Sequence, residues 1–253
     1  MAMKRPFGCQ LGFTLAEILV ALALTGIVVA AIYKVFGAQQ KTSILQDQVV
    51  EMQQDLRGAL TIMAREIRMA GYDPVGSANA GILSATAASL QITMDLNENG
   101  KDFLVPCAPS SCSNPLNCTA SGCDSSEKIR YALTNDADSD GIADTGQQAA
   151  LGRESWAGGL QEVAQNIEAF NLVYLDQTNT VIPSPVTGDD LARIRAVQIT
   201  LVAKTEQKDK DFTDSKPYRN QQNTVIFTPP VGDHYRRRLL SATVEFRNLG
   251  LIK

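Results

Sequence analysis

A run of carboxylates at alternate positions has the residue types best suited to binding a metal ion. The run ends in Gly141, and its candidate ligand positions are Asp136, Asp138, Asp140, Ile142 and Asp144. Calcium prefers hard oxygen ligands on a sharply turning loop, and this order of residues supplies them. The twelfth position is Gln147, whereas an EF-hand has a bidentate glutamate there. We predict a calcium site, with a solvated acidic loop as the alternative.

A second segment repeats this spacing with weaker ligands, at Asp95, Asn97 and Asn99. Here a turn that ends a strand is favoured over a calcium site. Each of the two segments follows a predicted strand, and those strands are neighbours in the chain. We therefore expect both loops to face the same edge of a sheet.

Four cysteines form a compact cluster between the two acidic segments: Cys107, Cys112, Cys118 and Cys123. Zinc sites favour pairs of cysteines two residues apart, and these pairs are wider. An even number of closely spaced cysteines is typical of an oxidising compartment, so we predict disulfides. Three pairings are open, and proximity in the chain favours the first cysteine with the second and the third with the fourth.

Composition and motifs argue against several classes of function. The single histidine, His234, excludes a catalytic or metal site built on several histidines. We find no nucleophile–base arrangement or phosphate-binding loop, so we expect no enzymatic activity. A net charge of −4 argues against a nucleic-acid binder. The basic run Arg236–Arg238 is interpreted as charge on an edge strand, which discourages aggregation.

The N-terminus combines a short basic leader with a long apolar run. Residues 1–12 carry Lys4 and Arg5, and an apolar stretch follows from Phe13 to Tyr33. As a helix it spans roughly 30 Å, which matches one hydrocarbon core. The positive charges predict a cytoplasmic N-terminus. Glu17 is the only charge in the run, and a carboxylate inside a membrane indicates a function.

The residues Gly12-Phe13-Thr14-Leu15-Ala16-Glu17 resemble the processing motif of type IV prepilins and of type II secretion pseudopilins. The resemblance implies that a membrane prepilin peptidase cleaves between Gly12 and Phe13 and then N-methylates Phe13. Cleavage would create a positive amine one helical turn from Glu17, and the two would form an ion pair strengthened by the low dielectric. An ordinary secretory signal, a lipoprotein signal ending at Cys9 and a simple anchor fit less well, because the apolar run follows the motif and contains Glu17.

Beyond the apolar run the pattern predicts one long helix over residues 13–71 and a head domain over residues 72–253. A helical stripe continues through Leu45, Val49, Met52, Leu56, Leu60, Met63 and Ile67. Alternating segments then predict strands over residues 90–94, 129–133, 167–175, 194–203, 225–227 and 239–246. Residues 157–165 are interpreted as a short helix. The fold class is therefore α+β, with an antiparallel sheet packed on the helix.

This layout, with KIRYAL, LGRES and the closing RRRLLSATVEFRNLGL, resembles minor pilins of the PilW type. The resemblance implies a pilin held in the bacterial inner membrane before assembly and then located in the pilus at the cell surface. Its implied partners are other major and minor pilins, the prepilin peptidase and the inner-membrane assembly platform. Two alternatives stay open: a J-type pseudopilin of type II secretion, and a calcium-dependent adhesin carried on a pilin stem.

Overall fold

The computed structural model of the protein describes residues 12–100, 127–144, 148–155 and 159–249. The chain divides into two compact units, Met1–Asp47 and Gln48–Lys253. A single helix, α1 (Leu15–Met69), contributes residues to both units. No proline occurs between residues 13 and 69, so nothing in that stretch removes a helical hydrogen bond. The predicted long helix is therefore confirmed.

In the first unit, α1 exposes its side chains on all sides. None of the described residues from 12 to 44 is buried, although most are apolar. Phe13 is 85% exposed and Ile27 is 67% exposed. A helix that is apolar all round is suited to a membrane or to packing among other helices. Among the described residues, α1 is the one helix long and apolar enough to cross a membrane.

In the second unit, α1 buries one face and exposes the other. The buried residues are Met52, Leu56, Ala59, Leu60, Met63 and Ile67. Their spacing of three and four places them on one side of the helix. The predicted stripe is confirmed from Met52 onward, while Leu45 and Val49 are half-buried.

A five-stranded antiparallel sheet has its strands in chain order. Its strands are β1 (Ile82–Ala85), β2 (Leu90–Thr93), β3 (Lys128–Leu133), β4 (Ala150–Ser155) and β5 (Gln161–Gln165). Asn166 follows with φ of 58°, a left-handed conformation that asparagine tolerates. At this residue the chain leaves the first sheet and enters the second.

A second antiparallel sheet has the strand order β11–β8–β6–β7. Its strands are β6 (Ile167–Leu175), β7 (Val181–Ile182), β8 (Ala196–Lys204) and β11 (Arg237–Glu245). A 3-10 helix (Gly188–Arg193) lies between β7 and β8, and β9 (Tyr218–Arg219) pairs with β10 (Val225–Phe227) as a hairpin. The long strands alternate apolar residues toward the core, which confirms the antiparallel sheet predicted from the sequence.

One hydrophobic core joins α1 to both sheets. Its members include Leu56 and Met63 of α1, Tyr131 of β3, and Phe170 and Leu201 of the second sheet. Every buried apolar residue in the described part of the chain lies at Met52 or later. The core therefore belongs entirely to the second unit, which we call the head (Gln48–Lys253).

A polar cluster of Glu66, Tyr131 and Arg153 lies between α1 and the first sheet. Glu66 accepts a short hydrogen bond from the Tyr131 hydroxyl and pairs with Arg153, whose Nη2 lies 2.9 Å from Oε1. Burial raises the pKa of Tyr131, and its bond to the Glu66 carboxylate adds to that effect. The cluster fixes α1 on the sheet at one specific rotation, because each of its three polar groups finds a partner there.

The predicted short helix over residues 157–165 is wrong. Gln161–Gln165 forms β5, which pairs with β4 through a bulge between Leu151 and Gly152. Gly152 permits this arrangement, because a Cβ atom there would lie 2.8 Å from Cβ of Leu160. The apolar positions of this short segment fit both periodicities, so sheet pairing decides its structure.

Candidate functional site

The predicted processing site lies just before α1. Gly12, Phe13 and Thr14 are not helical, and α1 begins at Leu15. Thr14 and Glu17 form a capping box: Glu17 Oε2 accepts from the Thr14 backbone N–H and hydroxyl, both at 2.9 Å. The Glu17 N–H donates to Thr14 Oγ1 at 3.3 Å. Two backbone donors that a helix end leaves without partners are thereby satisfied.

Glu17 thus has a local partner in the uncleaved chain. Its predicted partner, the amine of Phe13, exists only after cleavage, so that ion pair stays a prediction. Phe13 and Glu17 are four residues apart along the chain, which is one helical turn if the new N-terminus continues the helix.

The acidic loop, defined as residues 136–144, brings three of its predicted ligands together. One carboxylate oxygen each from Asp136, Asp138 and Asp140 lie within 4.8 Å of one another. Asp144 does not belong to this group, and its Oδ2 accepts from the Ala137 N–H at 2.9 Å. Ile142 forms an isolated bridge to Ala169 of β6. The loop therefore has a carboxylate cluster at its exposed tip and a base fastened to the sheet.

Backbone geometry explains the glycine of the acidic loop. Gly141 has φ of 85°, and a Cβ atom there would overlap the carbonyl oxygen of Phe170. The Gly141 carbonyl accepts from the Phe170 N–H at 2.8 Å, and its N–H donates to Asp136 Oδ2 at 3.0 Å. Only glycine combines this conformation with so close an approach to a neighbouring strand.

Electrostatics in the acidic loop disfavour the ionised form of Asp136. Burial raises the pKa of Asp136, and the carboxylates of Asp138 and Asp140 add to the rise, although hydrogen bonds from backbone N–H groups oppose it. A cation would relieve the repulsion among these groups. Calcium binding itself stays a prediction.

The loop after β2 adopts the same turn as the acidic loop. Asp95 accepts from Asn99 N–H at 3.2 Å and from Gly100 N–H at 3.0 Å, as Asp136 does from the residues four and five positions on. The Asn97 side chain accepts from the same Asn99 N–H. Asp95 is fully buried. These bonds account for Asp95 as a structural turn residue, and calcium at Asp95, Asn97 and Asn99 stays a prediction.

The expectation that both loops face one edge is wrong. Strands β2 and β3 pair antiparallel, with Leu90 opposite Tyr131 and Thr93 opposite Lys128. The loops that follow two antiparallel neighbours lie at opposite ends of the sheet. The two segments therefore cannot form one joint site.

The four cysteines, from Cys107 to Cys123, lie outside the described residues, and their disulfides stay predictions.

The basic run at the start of β11 has a role that the sequence did not reveal. Arg237 is fully buried, not an exposed edge charge, and it binds three carboxylates. Its guanidinium lies 3.2 Å from Asp214 Oδ2 and 2.7 Å from Asp233 Oδ2, and it makes a short bond to Glu168. Lys204 Nζ also binds Glu168, at 3.0 Å. Only its place in a triplet of arginines marks Arg237 in the sequence, and its neighbour Arg238 is exposed.

The leader motif, the apolar helix and the antiparallel head are features that this chain shares with type IV pilin-like proteins. Two families match the chain: the prokaryotic N-terminal methylation motif over residues 8–33, and Type IV Pilus-assembly protein W over residues 129–248. The predicted resemblance to minor pilins of the PilW type is confirmed by these matches.

Among solved structures, a type IV-like pilin from Thermus thermophilus is 14% identical, with 78% of this chain and 96% of that chain covered and a TM-score of 0.44. Among curated proteins, no significant match was found. The similarity to pilins rests on the two family matches.

Proposed function

We propose that this chain is a non-enzymatic minor pilin that enters a type IV pilus and helps to initiate its assembly. A prepilin peptidase would cut between Gly12 and Phe13 and methylate the new amine. The observation that carries the proposal is the coincidence of the N-terminal methylation motif with a helix whose apolar side chains are all exposed up to residue 44. Such a helix is stable only in a membrane or against other apolar helices.

The mechanism follows from charge and from the solvent around α1. Lys4 and Arg5 would keep the N-terminus cytoplasmic while the head crosses the inner membrane. The helix would then leave the lipid and pack among the helices of other major and minor pilins on the assembly platform. Glu17 would bind the Phe13 amine of its own or a neighbouring subunit, which sets the axial position of each subunit because ion pairs are strong in low dielectric.

Replacement of Glu17 tests this proposal. We expect Glu17→Ala to be cleaved and methylated normally, as judged by intact mass, and to leave far fewer pili on the cell by electron microscopy. Glu51→Ala is the matched control, because Glu51 is an exposed glutamate in the head part of the same helix. Normal piliation with Glu17→Ala would contradict the proposed mechanism.

The family match favours the pilus over a secretion pseudopilus, because it covers residues 129–248 of the head. Deletion of the gene separates the two: without a pilin the cell loses surface pili, whereas without a pseudopilin it loses secreted enzymes.

The adhesin alternative rests on the acidic loop and the cysteine cluster. Deletion of residues 107–123 with normal piliation and lost adhesion would support it.

A further inference from the structure

A polar cleft of about 420 Å³ opens on the head, beside the start of β11. Its lining includes Val49 and Met52 of α1, Phe212, Lys216, Arg236 and Arg238. The volume lies in the range of about 300–1,000 Å³ in which proteins commonly hold ligands. All of these residues belong to the head, so the cleft is a feature of one compact unit.

The rim of the cleft carries unbalanced positive charge. Lys216 and Arg238 are exposed, and neither side chain contacts a hydrogen-bond or ion-pair partner among the described residues. Arg236 binds Asp209 at 2.8 Å and packs over the ring of Phe212 at 4.5 Å. The one carboxylate in the lining, Asp214, is buried and already binds Arg237. The free rim cations therefore favour an acidic occupant.

The acidic loop of this same chain has the matching chemistry. Its tip, residues 137–140, is exposed and carries Asp138 and Asp140. The tip consists of alanine, serine and two aspartates, all small enough for a narrow cleft. Neither Asp138 nor Asp140 has a compensating cation among the described side chains. Lysine and arginine of a partner molecule would supply one.

The topology places loop and cleft at opposite edges of one sheet. The base of the loop pairs with β6, through Ile142 and Ala169, on the side away from β8. Arg238 belongs to β11, which pairs with the other side of β8. The order across the sheet is thus acidic loop, β6, β8 and β11. Strands β6 and β8 lie between the base of the loop and β11, which favours the loop of a second copy as the occupant.

We infer that the cleft binds the acidic loop of a second copy of this chain. The contact is heterologous, because it joins two different surfaces, and its repetition builds an open chain of heads and not a closed dimer. Its small size predicts a weak, salt-sensitive association. The inference concerns contacts between heads and does not depend on the proposed role in pilus initiation.

The test uses the purified head, Gln48–Lys253, which contains the whole buried core of the described residues. Sedimentation at low salt, with EGTA present, should show average mass rising past that of a dimer as concentration increases. The loop variant Asp138→Asn/Asp140→Asn and the cleft variant Lys216→Gln/Arg238→Gln should each associate about tenfold more weakly. Thermal unfolding checks that each variant is folded.

Mixing the two variants gives the decisive measurement. The intact loop of the cleft variant can enter the intact cleft of the loop variant, so the mixture should form a one-to-one complex that grows no further. The control Glu162→Gln/Asp189→Asn removes two exposed carboxylates elsewhere and should associate like the natural head. A monomeric natural head, association that stops at a dimer, or variants that associate normally would each overturn the inference.

Discussion

Arg237 shows how one buried charge can organise an irregular part of a fold. It lies at the start of β11, yet its three carboxylate partners come from β6 and from the segment between β8 and β11. Burial disfavours ionised Asp233, but the hydrogen bonds from Arg237 and the Tyr235 N–H, together with the positive charges of Arg237 and Lys208, outweigh it and hold the pKa of Asp233 below its usual value. The cluster fastens the long segment of residues 205–236 to the second sheet.

Replacement of Arg237 by methionine should lower the free energy of unfolding by about 3–5 kcal/mol, because three carboxylates lose their buried partner. The neighbouring exposed Arg238→Met should change it by less than about 0.5 kcal/mol. Urea denaturation of the head at low protein concentration measures both. Equal effects of the two variants would refute the role assigned to the cluster.

The acidic loop leads to a prediction about metal and pH. Calcium at about ten times its Kd should stabilise the head by about 1.4 kcal/mol, which EGTA reverses. Removal of calcium should loosen the loop and leave the core folded, since the metal would hold only the loop. Titration calorimetry and thermal unfolding measure it, and Asp138→Asn/Asp140→Asn should abolish both signals. No heat and no EGTA-sensitive shift would show that this is a solvated acidic loop.

The sign of the pH dependence follows from Asp136. Its pKa is raised in the folded metal-free head, so protonation stabilises that head below the usual carboxyl pKa. This stabilisation is lost as pH rises through the raised pKa. Because calcium requires the ionised carboxylate, the stabilisation by calcium should grow over the same pH window. A calcium effect that is equal on both sides of this window would contradict the assignment of Asp136 as a ligand.

At the scale of elements, the contact between α1 and the first sheet depends on both apolar and polar groups. The apolar stripe determines which face of α1 is buried. Glu66 then fixes the position of α1 on the sheet through its bonds to Tyr131 and Arg153. Glu66→Ala should destabilise the head by about 2–3 kcal/mol, because it leaves the buried Tyr131 hydroxyl without its acceptor. The control Glu51→Ala on the same helix should cost less than about 0.5 kcal/mol by urea denaturation. Equal costs would show that packing alone positions the helix.

Regular elements were predictable because their periodicity extends over many residues. The stripe from Met52 to Ile67 buries one face of α1, and alternate apolar residues of β6 and β8 belong to the core, so residue type alone indicates both patterns. The short strand β5 was not predictable, because its structure depends on pairing with β4 across Gly152. Arg237 was missed for a similar reason: its three partners are distant in sequence, and only the fold brings them together.

At the scale of the whole molecule, the two units depend on different surroundings. Residues before Gln48 contribute no buried side chain among those described, whereas the head contains the entire core. We expect the isolated head, Gln48–Lys253, to be soluble and to unfold cooperatively. Its urea midpoint by circular dichroism should equal that of the head signal in the full chain in detergent. An unfolded fragment would show that the apolar part of α1 is needed for folding of the head.

The capping box at the start of α1 has a consequence for proteolysis. Thr14 and Glu17 satisfy the first backbone donors of the helix, and both lie after the predicted cleavage site. Peptidases bind extended backbone, and the bond between Gly12 and Phe13 lies outside the helix. The same two side chains thus begin the helix at Leu15 and leave the predicted cleavage site outside it. A substitution at Thr14 should therefore make the position of cleavage less precise, with mature N-termini that vary by a residue or two.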